Sequence, residues 1–129
     1  MDLFSYLLTK SSIDKKNVLE IGSNENGEYI KFKDGLLICT KTKVFTTTIN
    51  TAWGSMYESA SLSIGDYAYE FKEKPFYING HCVGTRACLL ENITGSSKSS
   101  FGNTYLYRPT NYTTEYAFTV NFIAIGTWK

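Results

Sequence analysis

Residues 116–129 read Tyr-Ala-Phe-Thr-Val-Asn-Phe-Ile-Ala-Ile-Gly-Thr-Trp-Lys, a stretch dominated by β-branched and aromatic side chains. Such residues favour a β-strand, in which successive side chains point to opposite faces. One face of this strand is wholly apolar and carries Phe118, Val120, Phe122 and Ala124. The other face is mixed, which predicts contact with a second sheet or with another copy of the chain. We therefore expect this strand to close a β-fold.

The chain before this strand shows short apolar stretches separated by turn residues, at intervals of about ten residues. Asp34-Gly35 is a hairpin signal between predicted strands at 29–32 and 36–45. Further strands are expected at 56–64, 67–71, 76–79, 85–90 and 105–107. The stretch 95–103 is rich in Ser and Gly, which predicts a mobile surface loop. This pattern predicts an all-β protein built as an antiparallel β-sandwich.

The N-terminal part differs from the rest, and we expect a helix and linker at 1–26 followed by the β-sandwich domain at 27–129. Apolar residues recur at helical spacing near the start, at Leu3, Phe4, Leu7 and Leu8. A helix this short is marginal in water, so its apolar stripe must pack on something. One possibility is packing onto its own β-domain, and another is a parallel bundle of three copies at the head of a trimer. The third possibility is a disordered or docking tail.

The composition limits the classes of partner. Lys and Arg total 13 against 12 for Asp and Glu, so no strong field would attract nucleic acid or an anionic membrane. No apolar run has the length of a membrane span, and no secretory signal is visible, so we expect neither membrane insertion nor export by the general route. Ten Tyr residues supply flat surfaces with a polar tip, which suit adaptable recognition.

The three cysteines cannot all pair within one chain. Cys39 lies in an apolar strand and is expected to be a small core residue. Cys82 and Cys88 have the spacing to form a bridge or, with His81, to contribute to a metal site. A structural zinc site needs four ligands, and the chain holds no second His. We expect free thiols, as in a reducing cytoplasm, with no metal and no cofactor.

Catalytic machinery is not evident, and no catalytic residue is predicted. There is no phosphate-binding glycine loop and no nucleophile elbow. The acidic residues are dispersed along the sequence. Two of them could still converge in space, which is all that a glycoside hydrolase requires.

A binding site is predicted at Tyr105-Leu-Tyr-Arg-Pro-Thr-Asn-Tyr112. Sugars present flat apolar faces ringed by hydroxyls, so their sites combine aromatic platforms with polar groups. The predicted ligand-binding residues are Tyr105, Tyr107, Arg108, Asn111 and Tyr112. The alternative is that both tyrosines line a core or a subunit interface and that Arg108 forms an ion pair. Trp53 and Trp128 are expected to pack within the framework.

Four segments carry a resemblance to a known family: Gly-Glu-Tyr-Ile-Lys-Phe-Lys-Asp-Gly-Leu-Leu-Ile at 27–38, Thr-Ala-Trp-Gly-Ser-Met-Tyr at 51–57, Tyr-Leu-Tyr-Arg-Pro-Thr at 105–110 and Phe-Ile-Ala-Ile-Gly-Thr-Trp-Lys at 122–129. They resemble the C-terminal receptor-binding domains of tail fibres from phages and prophages of Gram-positive gut bacteria. The sequence departs from that family at Thr127, where arginine is usual, and at Asp66-Tyr67, where a Trp-Pro pair is common.

This resemblance implies a homotrimeric tail-fibre tip that binds a bacterial surface glycan and assembles with other phage tail proteins. The protein would be made in the host cytoplasm, released by lysis and located at the virion tail tip. The resemblance covers roughly residues 27–129, so the expected trimer interface at Leu3, Phe4, Leu7 and Leu8 comes from the helical spacing of those residues instead. Two other functions stay open, a structural cap that registers three fibre chains and a hydrolase of cell-wall or capsule glycans.

Overall fold

The computed structural model describes residues 17–84, 86 and 88–129, and within them the chain forms eleven β-strands. Their bounds are β1 Val18–Asn24, β2 Gly27–Phe32, β3 Leu36–Ile49, β4 Thr51–Trp53, β5 Met56–Glu58, β6 Leu62–Asp66, β7 Tyr77–Val83, β8 Leu89–Leu90, β9 Ser100–Thr104, β10 Leu106–Arg108 and β11 Tyr112–Thr127. All pairings between these strands are antiparallel, so the prediction of an all-β protein with antiparallel sheets is confirmed. The predicted helix with Leu3, Phe4, Leu7 and Leu8 lies outside the described residues.

The strands form three sheets. The largest has the order β1-β2-β3-β11-β7, the second has the order β4-β5-β10-β8, and the third pairs β6 with β9. Within the largest sheet, β11 pairs with β3 from Thr127 opposite Leu36 to Tyr112 opposite Ile49. The predicted terminal strand is therefore present, and it begins earlier than expected, at Tyr112.

The core forms against the inner face of β11. Phe118, Val120, Phe122 and Ala124 are each at most 2% exposed, as their alternation predicts. The Phe122 ring lies 5.8 Å from that of Phe101 in β9, measured between ring centroids. Burying an apolar side chain of this size stabilises the fold by about 1.5–3 kcal/mol. The same core cluster includes Ile64 of β6 and Leu106 of β10, so residues of all three sheets pack together.

The prediction of a linker before residue 27 is wrong for Val18–Asn24. This segment forms β1 and pairs with β2, with Ile21 opposite Ile30. Most of its side chains are exposed. A strand at the edge of a sheet is held mainly by backbone hydrogen bonds, so it needs few apolar residues, and its sequence resembled a linker for that reason.

The prediction of a mobile loop at 95–103 is also wrong for its second half. Ser100–Thr104 forms β9, which pairs with β6 and places Phe101 fully in the core. Serine hydroxyls bond to the backbone of this region, as when Ser96 Oγ donates to the Phe101 carbonyl oxygen at 2.8 Å. The Ser-rich composition therefore supports a folded turn and strand rather than a loose loop.

Three other predicted strands have different bounds in the structure. The segment 67–71 is not a strand but a bent stretch, in which the rings of Tyr67 and Phe71 meet edge to face with centroids 4.8 Å apart. The stretch 56–64 is divided between β5 and β6, and among the described residues of 85–90 the strand is Leu89–Leu90. Tyr67, Phe71 and Cys88 are buried although the backbone there is irregular, which sequence periodicity does not distinguish from a strand.

The predictions for the cysteines are confirmed in part. Cys39 is fully buried, and burial raises the pKa of its thiol to about 12, which confirms its place in the core. Cys82 and Cys88 form a disulfide, with Cα atoms 6.0 Å apart, so the expectation of free thiols is wrong for this pair. Cys82 lies in β7 and Cys88 directly precedes β8, and the distance between their Cα atoms is within the range that a disulfide requires.

Gly102 provides a test of how β9 packs against the backbone of residues 94–96. Its φ is 93°, and an added Cβ would lie inside contact distance of the Thr94 carbonyl oxygen. Gly84 has a similar φ of 107° but no atom within 4 Å of an added Cβ. We expect Gly84→Ala to show only backbone strain and Gly102→Ala to lose roughly 1–3 kcal/mol more in the free energy of unfolding. Urea unfolding of both variants measures this, and equal losses would contradict the packing of β9.

Candidate functional site

The candidate site lies on the outward face of the four-stranded sheet. Residues directly opposite each other in neighbouring strands share a face. Tyr107 of β10 is opposite Glu58 of β5. On the other side of β10, the Glu91 amide donates to the Tyr105 carbonyl oxygen at 3.0 Å. Leu106 points the opposite way and is fully buried, so Tyr105 and Tyr107 are turned outwards.

Two hydrogen bonds to the buried residue Ser59 hold the backbone of β10 and fix this orientation. Ser59 donates its amide to the Leu106 carbonyl oxygen at 2.8 Å and accepts the Leu106 amide on its hydroxyl at 3.0 Å. Both residues are buried. The outward side chains therefore stand on a rigid support rather than on a loop.

Trp53 of β4 joins the two tyrosines on this face. Its ring centroid lies 5.2 Å from that of Tyr107, with the ring planes at 70°. The indole is 45% exposed, so a large apolar surface beside Tyr107 is open to ligands. We call the adjoining cavity of about 360 Å³ the aromatic groove, and its lining residues are Trp53, Leu90, Glu91, Asn92, Thr94, Tyr105 and Tyr107.

The aromatic groove continues into a larger cavity of about 840 Å³. The two cavities share several lining residues, including Glu91, Asn92 and Tyr107. The larger one runs beside β7 and β8, past the Cys82–Cys88 disulfide.

A pair of carboxyl groups lies next to the aromatic rings. The pKa of Glu91 is raised from its ordinary value of 4.5, first by burial, then by the negative charge of Glu58 and by a hydrogen bond with the Glu58 side chain. Both residues are partly buried. The site therefore combines three aromatic side chains with two interacting acids and the amide of Asn92.

The structure separates the predicted ligand-binding residues into two groups. Tyr105 and Tyr107 line the aromatic groove, whereas Arg108 and Tyr112 do not. The Arg108 guanidinium lies over the Tyr112 ring, 3.5 Å from its centroid. Tyr112 in turn packs on Tyr116, with ring centroids 4.9 Å apart. Asn111 is exposed in the turn before β11.

The environment of Arg108 differs from both alternatives that the sequence left open. Its Nε and Nη1 atoms are buried without a hydrogen bond, and within the described residues it makes no ion pair. Its positively charged guanidinium instead lies against the face of the Tyr112 ring. Arg108 therefore stacks against a ring on the side of β10 away from the groove.

Three polar residues of the site were not predicted from the sequence, and one aromatic residue was misplaced. Glu58 ends β5, whereas Glu91 and Asn92 follow β8, and nothing in their local sequence marks them. Trp53 was expected to pack, yet it is half-exposed. Trp128 packs as expected, since its Nε1 donates to the Phe32 carbonyl oxygen at 2.8 Å.

Other kinds of site have less support. In the part of the chain that the structure describes, no cluster of His, Cys, Asp and Glu could hold a metal ion. Over the same residues, no helix has the length and hydropathy needed to cross a membrane. His81 is exposed on β7, opposite Asn121 of β11. Searches of protein-family models, of curated proteins and of solved structures found no match to this chain.

The interaction between the two carboxyl groups can be tested by titration. In Glu58→Gln the pKa of Glu91 should fall towards 4.5, because the like charge is removed, and it should stay above that value, because burial is unchanged. NMR titration of the side-chain carboxyl carbons measures this. Glu115→Gln, an exposed acid on β11, is the control and should leave Glu91 unaffected. An unchanged Glu91 pKa in Glu58→Gln would show that the two groups do not interact.

Proposed function

We propose that this protein binds saccharides and that the aromatic groove is its binding site. The observation that carries this proposal is the half-exposed indole of Trp53, which stands 5.2 Å from the Tyr107 ring beside an open cavity. A sugar ring can stack its apolar face on such a surface. Glu58, Glu91 and Asn92 are placed around the rings, where they can accept or donate hydrogen bonds to sugar hydroxyls.

We further propose that the protein is the receptor-binding tip of a phage or prophage tail fibre. The segments 51–57 and 105–110 support this, because they resemble that family and form neighbouring strands of the sheet that bears the groove. The Cys82–Cys88 disulfide also suits an extracellular role, since disulfides persist in oxidising surroundings. On this proposal the chain is made in the host cytoplasm and joins the tail with other phage proteins. Lysis then releases it at the virion tail tip.

The proposed assembly is a homotrimer in which each chain folds as a β-sandwich behind a short N-terminal helix. Support comes from apolar side chains on the outer face of the five-stranded sheet, where Val44 is 55% and Val83 is 36% exposed. They lie in one row, because both are opposite Thr119 of β11. A trimer would also strengthen attachment. A single sugar contact of millimolar affinity is worth only about 4 kcal/mol, and linked sites can raise avidity by about 100-fold or more.

The other two functions are less well supported. A structural cap has no need of exposed aromatic rings beside a cavity. The Glu58 and Glu91 pair is the observation that favours a glycan hydrolase. However, glycosidases usually hold their two carboxyl groups roughly 5–9.5 Å apart, on either side of the bond to be cleaved. Glu58 and Glu91 interact directly, which favours binding over hydrolysis.

The binding proposal can be tested with two matched variants. Trp53→Ala should weaken binding to bacterial cell-wall or capsular saccharides by about tenfold, since it removes the main stacking surface. Tyr77→Ala is the control, because Tyr77 is 47% exposed, much like Trp53 at 45%, but lies on the five-stranded sheet. A glycan array measures both, with reducing-end release assayed alongside. Equal binding by the two variants would remove the groove as the site, and release that depends on Glu91 would favour a hydrolase.

The assembly proposal has its own test. We expect the wild-type chain to sediment as a trimer and Leu7→Asp to shift it towards the monomer, because a buried charge would disrupt an apolar bundle. Analytical ultracentrifugation at several concentrations measures the mass. A wild-type monomer would contradict the trimer. A trimer that survives Leu7→Asp would place the interface elsewhere, for example on the face that carries Val44.

A further inference from the structure

We infer that the aromatic groove binds a positively charged ammonium group of its ligand, seated in the corner between Trp53 and Tyr107 and beside Glu58 and Glu91. This inference rests on the proposed function and narrows its ligand class. The saccharide would carry either a free, protonated amine or a quaternary ammonium substituent. Both groups share a positive charge on a small nitrogen centre, which is the chemistry that this corner recognises.

The ring geometry supports an ammonium site. The planes of Trp53 and Tyr107 meet at 70° with centroids 5.2 Å apart, so the two rings form adjacent walls of a corner. Tyr105 lines the same cavity. A cation in such a corner contacts the negative faces of more than one ring, which is the arrangement that recognises alkylammonium groups. A neutral sugar needs only one stacking surface.

The same chain already holds an ammonium group in this way. The Lys31 Nζ lies 4.3 Å from the Tyr69 ring centroid and 4.4 Å from that of Trp128. The Glu20 carboxylate completes its surroundings at 3.7 Å. The aromatic groove presents a matching set of groups, a tryptophan, a tyrosine and a carboxylate, around open space rather than around a lysine.

The charges around the groove also favour a cation. Within the described residues, the ion pairs join Lys31 to Glu20 and Lys98 to Glu70, so neither Glu58 nor Glu91 has a basic partner. The described cations over aromatic rings lie on other side chains, and none lies on Trp53, Tyr105 or Tyr107. A ligand ammonium group would supply the missing positive charge.

The acid pair gives the cation a further advantage over other ligands. The carboxyl groups of Glu58 and Glu91 are hydrogen-bonded to each other, which requires a proton on one of them, and an ammonium group beside the pair would stabilise the ionised form of both. A phosphate or carboxylate group on a sugar would add further negative charge beside the pair and be repelled. The site should therefore discriminate against anionic glycans even where they offer the same stacking surface.

The experiment compares cations with neutral molecules of similar shape. Glucosamine is paired with N-acetylglucosamine, and choline with 3,3-dimethylbutan-1-ol, and each is titrated into the full chain while the Trp53 indole resonance is followed by NMR. We expect at least one cation to bind tenfold or more tightly than its neutral counterpart. Preference for glucosamine would identify a free amine, and preference for choline a quaternary ammonium group.

Variants then test whether Glu58 and Glu91 cause the preference for cationic probes. Glu91→Gln should reduce the cation preference to less than about threefold, because the acid pair loses a charge, and Glu58→Gln serves if that variant does not fold. Glu25→Gln, an exposed acid in the turn between β1 and β2, is the control and should keep the full preference. Trp53→Ala should abolish binding of all four probes, measured by isothermal titration calorimetry because this variant has no Trp53 resonance to follow.

The outcomes separate this inference from the proposed function. If neutral and cationic probes bind equally and both depend on Trp53, the groove binds saccharides but the ammonium inference is wrong. If choline binds with the expected preference while no sugar on the glycan array binds, the ammonium site stands and the saccharide proposal fails. If no probe shifts the Trp53 resonance at millimolar concentration, the ammonium inference is overturned.

Discussion

The pairing of β3 with β11 is the interaction on which the rest of the structure depends. It joins Leu36–Ile49 to Tyr112–Thr127 in one long antiparallel ladder. The remaining strands of the largest sheet add to its edges, β2 beside β3 and β7 beside β11. A slip of one residue would turn Phe118, Val120 and Phe122 out of the core. The register is therefore fixed by the apolar face as much as by the backbone hydrogen bonds.

This ladder also decides where the candidate site lies. The core that forms on β11 receives Leu106 of β10, and once Leu106 is buried its two neighbours must point outwards. Ser59 holds the same backbone by two hydrogen bonds. The aromatic groove is thus a consequence of packing on the far side of β10. Its rigidity should lower the entropic cost of binding, since the rings are ordered before the ligand arrives.

Aromatic rings serve two purposes in this chain. Some receive the chain's own cations, as Tyr69 and Trp128 receive Lys31 and Tyr112 receives Arg108. These contacts stabilise the fold, because they place partly buried positive charges against polarisable faces. Trp53 and Tyr107 use similar geometry on the outside, next to Glu58 and Glu91, with no cation of the described residues between them. These structural contacts differ from the ammonium site that we propose at Trp53 and Tyr107 in that the chain itself supplies their positive charge.

The sequence was enough to predict the all-β class and the alternation of side chains around Leu106. The alternation at 116–129 predicted the buried face of β11, and the alternation at 105–107 indicated that Tyr105 and Tyr107 share one face and Leu106 the other, without deciding which face is buried. Both are properties of a single strand, and a period of two along the chain is enough to reveal them. Cys39 was likewise placed in the core by its apolar neighbours.

The other members of the site and the irregular parts of the core could not be predicted from the sequence, because they arise from contacts between distant segments. Glu58 and Glu91 are distant in sequence and meet because β5 and β8 lie on either side of β10. Arg108 and Tyr112 were assigned to the site by proximity along the chain, yet the pleat turns Arg108 away from the groove. The strand β1, the buried Phe101 and the Cys82–Cys88 disulfide were missed for the same reason. Each depends on contacts between segments, and local sequence does not encode which segments become neighbours.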